Sequence, residues 1–60
     1  MLYETANFYV VQASKGYYEV YKNGAVTATR VATIGRSLGL ARAIIEVNKR
    51  QAEHDRTDQA

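Results

Sequence analysis

Sixty residues make one domain, and a chain this short buries only about 60% of the surface its unfolded form exposes, so marginal stability is expected. With no cysteine and one histidine, disulfides and a structural metal are excluded as reinforcement, which leaves oligomerisation as the expected device. The net charge of +2 permits a polyanionic partner without requiring one. No apolar run approaches a membrane span and the N-terminus lacks the basic flank and apolar block of a signal peptide, so a cytoplasmic location and no membrane partner are expected.

The lead-in, residues 1–7, is mixed in character. From Phe8 the pattern turns to strand, with Phe8 to Ala13 uncharged throughout. A second strand follows over Tyr17 to Lys22, built from aromatic and β-branched residues. Ser14-Lys15-Gly16 and Lys22-Asn23-Gly24 bracket it, both ending in glycine, and flanks of this kind predict hairpins. A third strand is expected from Ala25 to about Thr33, giving an α+β fold: a three-stranded antiparallel meander followed by one helix packed on one sheet face.

Two turn geometries compete at the glycines. Asn23-Gly24 suits a two-residue type I′ turn, while both triplets suit a three-residue loop ending on a left-handed glycine. The three-residue reading places Val10 opposite Val20, Ala13 opposite Tyr17, Tyr21 opposite Ala25, Val20 opposite Val26 and Tyr18 opposite Ala28. One face then carries Phe8, Val10, Tyr18, Val20, Val26 and Ala28. The other carries Tyr9, Val11, Tyr17, Glu19, Tyr21, Thr27, Thr29 and Val31, the split required when only one face of an antiparallel sheet is covered. A two-residue turn would put Glu19 on a face with Val26 and Ala28, which sorts the residues less cleanly.

Arg30 falls at the sheet margin, where its stem can lie on apolar surface while the guanidinium reaches water. Gly35 ends the third strand and Ser37 is the expected helix cap, opening a helix over residues 37–53. At 100° per residue, Arg42, Glu46, Lys49, Arg50 and Glu53 form a charged, solvated side. Leu38, Leu40, Ala41, Ile44, Ile45, Val47, Asn48 and Ala52 form an apolar arc wider than one sheet contact needs. Leu40 and Val47 lie at its edge and Asn48 near its middle. Asn48 calls for a bond to the sheet backbone of its own chain or for a pairing across a subunit interface, and Leu40, Val47 and Asn48 are the candidate dimer contacts of the helix. Residues 54–60 are polar and expected to fray.

Catalytic apparatus is not apparent. His54 stands alone, and with Asp55 and Asp58 it makes no fixed metal set, so neither a metal nor another cofactor is expected and no small-molecule substrate is evident. Ser14 and Ser37 have turn and cap explanations. The candidate site is instead the sheet face with Tyr9, Val11, Tyr17, Tyr21, Thr27, Thr29 and Val31, an aromatic patch of a kind soluble monomers seldom expose. Either a partner covers it, or the lead-in, with Leu2 and Tyr3, or the C-terminal tail folds over it.

The order strand, strand, strand, helix, with Tyr17-Tyr18-Glu19-Val20-Tyr21, Arg30-Val31-Ala32-Thr33-Ile34-Gly35 and Leu40-Ala41-Arg42-Ala43-Ile44-Ile45-Glu46-Val47-Asn48, loosely resembles the AP2 and integrase N-terminal type of DNA-binding domain over about two-thirds of the chain. The resemblance implies a sheet that enters the DNA major groove with the helix behind it. Members of that family carry arginines and tryptophans on the sheet, where this chain has tyrosines, threonines and Glu19. Two functions are therefore carried forward. In the first, the tyrosine face is an interface for a second copy or a larger protein, tyrosines being favoured interface anchors. In the second, the tyrosines stack on a nucleic acid while Lys15, Lys22, Arg30 and Arg36 contact phosphates. Eight basic residues diluted by six acidic ones form no clustered stripe, which favours the protein interface.

Overall fold

A computed structural model describes residues 1–59 of the chain. The architecture is α+β: an antiparallel sheet lies under one C-terminal helix, with four strands in the order of the sequence instead of three. The strands are β1 (Tyr3–Glu4), β2 (Phe8–Gln12), β3 (Tyr18–Lys22) and β4 (Thr29–Ile34), and the helix α1 is Gly39–Gln59.

The β2–β3 hairpin forms in the expected register, with Val10 opposite Val20. The Ala13 N–H donates to the Tyr17 carbonyl at 2.7 Å, closing the loop. A short 3-10 turn, Ser14–Gly16, fills it. Gly16 takes the left-handed conformation at φ 81°, and Lys15 takes it too at φ 62°, a conformation that costs a side-chain-bearing residue about 1 kcal/mol or more.

The β3–β4 connection differs from the expectation. No tight turn forms at Asn23-Gly24; residues 23–28 are a loop and β4 starts at Thr29. Tyr18 faces Ile34 in place of Ala28, Val20 faces Ala32 in place of Val26, and Tyr21 faces Arg30 in place of Ala25. The slide has a packing reason. It brings Ile34, 7% exposed, beneath the helix and leaves Val26, 97% exposed, in the loop, exchanging a smaller apolar side chain for a larger one in the core. The register shifts between Val20 and Tyr21, whose partners are Ala32 and Arg30, so Val31 is the extra residue of a bulge.

The lead-in becomes a strand. The Leu2 N–H donates to the Val10 carbonyl and the Thr5 N–H to the Phe8 carbonyl, with Tyr3 opposite Val10 and Glu4 opposite Tyr9. Tyr3 packs against the core, so this segment extends the sheet and does not fold across the tyrosine face.

The core between sheet and helix consists of Phe8, Val10, Val20, Ile34, Ala43 and Val47, with Tyr3, Tyr18, Val31, Ala32 and Leu40 against it. The helix begins at Gly39, φ 78°, after a turn in which the Leu38 N–H reaches the Gly35 carbonyl; the expected start at Ser37 is two residues early. At its other end it continues well past residue 53 to Gln59. Of the segment expected to fray, residues 54–59 are helical and His54 meets the sheet, its ring standing edge-on to Phe8 at 6.1 Å, while Ala60 lies outside the described residues. Gln51 anchors the same stretch. Its Oε1 accepts from the Thr5 hydroxyl and the Asn7 N–H, each at 2.8 Å, and its Nε2 donates to the Asn7 and Asp55 side chains.

Candidate protein-interaction surface

Alternation along each strand assigns the side chains to faces. Tyr18, Val20 and Ala32 point toward the helix with Phe8 and Val10, so Tyr9, Val11, Glu19, Tyr21 and Thr33 point away from it. The pairing aligns these outer residues in two rows across the sheet. One row reads Glu4, Tyr9, Tyr21, Arg30; the other reads Val11, Glu19, Thr33, with Leu2 beside Val11.

Tyr9 and Tyr21 occupy the centre of the first row, their rings stacked at 5.3 Å and within 8° of parallel. Such a cross-strand aromatic pair is worth about 0.5–1.5 kcal/mol beyond its buried area. Glu19 ties the rows together. One of its oxygens accepts from the Tyr21 hydroxyl and the other from the Arg30 guanidinium, both at 3.0 Å. The result is a stacked tyrosine pair beside a carboxylate bonded at both oxygens, on a face whose opposite edges carry opposite charge.

The Tyr21 phenol titrates above its usual range, chiefly because its proton is held by Glu19, then through desolvation and the charge of Glu19, with Arg30 opposing. The unfolded chain releases this proton near pH 10, its ordinary value, while the folded chain retains it. The bond's contribution to stability is thus complete below about pH 10 and is lost as pH rises through the folded value. Urea unfolding from about pH 8 to 11 should therefore show the parent losing more stability above the ordinary tyrosine value than Glu19→Gln does. Identical pH dependence in the two proteins would contradict the coupling.

Of the residues assigned to this face from sequence, Tyr9, Val11 and Tyr21 are brought together, and exposed Tyr17 stands at its hairpin end. Three are elsewhere because β4 slides. Thr27 lies in the 23–28 loop with its hydroxyl on the Ala28 carbonyl. Thr29 pairs with Lys22 at the start of β4, on the helix side of the sheet. Val31 packs against the core. Glu4 and Arg30 take their places; Arg30 was legible as a marginal residue, whereas a two-residue strand carries no period that would reveal Glu4.

The four proposed phosphate contacts do not converge. Lys15 lies next to Gly16, over which Arg36 packs, while Arg30 is on the outer face and Lys22 is on the other side of the sheet. Lys22 lines an open groove of about 410 Å³ with Phe8, Val31, Arg50, Glu53, His54 and Thr57. Arg50 is held by Glu46 and Glu53 offsets Lys22, so the groove has no single sign of charge.

The helix contacts also require correction. Val47 is 0% exposed and so is taken up within the chain, whereas Leu40 packs against the core but stays partly exposed. Asn48 bonds within the chain, accepting from the Tyr3 hydroxyl at 2.9 Å; the partner is a side chain and not the sheet backbone. The outer part of the apolar arc stays exposed at Leu38 and Ile45, each 58%. His54 belongs to the packed helix and not to a solvated tail, and the Asp58 side chain lies outside the described residues. Among the described residues no group of three potential ligands is placed to hold a metal, and no helix is long and apolar enough to cross a membrane.

Comparison with family models, with curated proteins and with solved structures finds no match to this chain.

Proposed function

We propose that the chain is a non-enzymatic interaction module that forms a homodimer through the outer sheet face. The carrying observation is the stacked Tyr9–Tyr21 pair at the centre of a face that no other element among the described residues covers. Tyrosines offer large, rigid contact area at low entropic cost, and interface cores are enriched in them. Small size adds to the case: a core of six buried side chains among the described residues, none larger than phenylalanine, gains from burial that a second copy supplies.

The test is mass in solution by light scattering over a concentration series. The parent is expected to dimerise and Tyr9→Ser/Tyr21→Ser to stay monomeric; because that variant also loses the stacked pair and the Tyr21–Glu19 bond, circular dichroism checks that it remains folded. A monomeric parent, or a double variant that dimerises as the parent does, overturns the proposal. Loss of the dimer in Ile45→Lys but not in the tyrosine variant would also overturn it, moving the interface to the helix. A parent that gains mass only on a DNA duplex, with affinity falling steeply as salt rises, would establish the nucleic-acid reading instead.

A further inference from the structure

The symmetry of that dimer can be derived from the order of charges across the sheet. Glu4, Tyr9, Tyr21 and Arg30 lie in one row, each paired with the next. The row begins with an acid on β1, at one edge of the sheet, and ends with a base on β4, at the other. Closed dimers are isologous: one patch must complement itself under a two-fold rotation. In the aligned mode stacked sheets keep their strands within about 30° of each other, and that mode leaves two simple placements of the axis.

An axis running along the strands turns the second sheet over, so that β1 of one copy lies on β4 of the other. Residues keep their row. Glu4 then meets Arg30 of the second copy, Arg30 meets its Glu4, and the tyrosine pairs fall on one another at the centre. An axis running across the strands stacks β1 on β1 and exchanges the rows, leaving Glu4 over Leu2 and Arg30 over Thr33. Only the first placement satisfies both charges.

The side chains are available for that role. Glu4 is exposed and has no ion pair among the described residues. Arg30, with its side chain 59% exposed, uses one nitrogen on Glu19, and the guanidinium fork retains further N–H donors for a second carboxylate. Glu19 comes under the second sheet with both oxygens already bonded, so closure leaves no carboxylate oxygen there without a donor.

We infer that two copies pack outer face to outer face about a two-fold axis along the strands, clasped at both edges by Glu4 and Arg30 of opposite copies. The inference rests on the proposed use of this face and adds its partner, symmetry and specificity-determining residues. Strands about 4.8 Å apart, three of them roughly 17–20 Å long and the two-residue β1 at the edge, make a small platform, so the dimer belongs with the weaker, transient interfaces. Its affinity falls with added salt, because the clasp lies at the solvated rim.

Two charge reversals test the geometry. Glu4→Lys alone sets an ammonium against Arg30 at both edges, and Arg30→Glu alone sets two carboxylates against each other; each variant is expected to dimerise about tenfold or more weakly than the parent. Mixed one to one, they form a heterodimer. At one of its edges the introduced ammonium faces the introduced carboxylate, and at the other the unaltered Arg30 of one copy meets the unaltered Glu4 of the second. Recovery of near-parental affinity on mixing, measured by analytical ultracentrifugation with one variant fluorescently labelled, is the expected result. Circular dichroism of each variant checks the fold, and Arg30→Gln, which weakens without repelling, covers the case in which Arg30→Glu disrupts its contact with Glu19. If neither reversal weakens the dimer, or if mixing restores nothing, this symmetry is wrong. The outer-face reading then stands or falls separately on the tyrosine variant.

Discussion

Val47→Asp is expected to leave the chain unfolded at room temperature, with the far-ultraviolet spectrum of a disordered polypeptide. Val47 is fully buried and shares the core with Val10 and Val20, which are equally inaccessible. Stability of about 0.05–0.15 kcal/mol per residue gives a domain of this size only about 3–9 kcal/mol. A carboxylate at position 47 has no cation among the core residues, and burying it unpaired costs several kcal/mol in addition to the lost apolar contact. Val47→Ala supplies the control. It removes two methyl groups and leaves a small cavity, a loss of about 2 kcal/mol that the fold should survive. A folded aspartate variant with parental stability would show that the helix does not press this position onto the sheet.

Replacing Gln51 with leucine is expected to cost about 1–3 kcal/mol and to lower the thermal midpoint by roughly 4–8 °C for each kcal/mol lost. Leucine matches the size of glutamine but leaves the Asn7 N–H and the Thr5 hydroxyl without the acceptor they share, and removes the donor to the Asn7 and Asp55 side chains. These groups are only partly buried, so water recovers some of the loss. Gln51→Glu distinguishes lost bonds from lost shape: it keeps the acceptor but places a carboxylate one helical turn from Asp55, a like-charge pair that disfavours the helix. It should fall between parent and leucine variant at neutral pH and improve on mild acidification. Thermal melts of the three proteins check the order. A leucine variant as stable as the parent would mean that the bonds joining helix to the β1–β2 turn contribute nothing net.

Gln51 also illustrates what a residue-by-residue reading misses. In the helical pattern it is one polar residue among many, and its role appears only because β1 and β2 meet beneath it. His54 is similar. As a sequence position it begins a polar tail; in the fold its ring meets Phe8, while Asp55, Arg56 and Thr57 beyond it are exposed. In proteins most helical stability comes from tertiary packing of one face, and here the residue that His54 contacts lies at the far end of the sequence, on β2.

By itself, the sequence determined whatever depends on short-range chemistry. The α+β class, the β2–β3 hairpin, the placement of Val10 against Val20 and of Tyr9 beside Tyr21, and the existence of one amphipathic helix follow from period, turn residues and a short loop. Tertiary structure decided the rest. Whether β4 pairs through Val26 or through Ile34 depends on which residue best fills the space under a helix that follows it in the chain. A two-residue strand such as β1 is too short to carry a period and exists because β2 offers it an edge. The outer face, with Glu4 and Arg30 in place of Thr27, Thr29 and Val31, inherits both decisions: a slid strand re-aims every side chain on it, and only burial against a distant element selects its register.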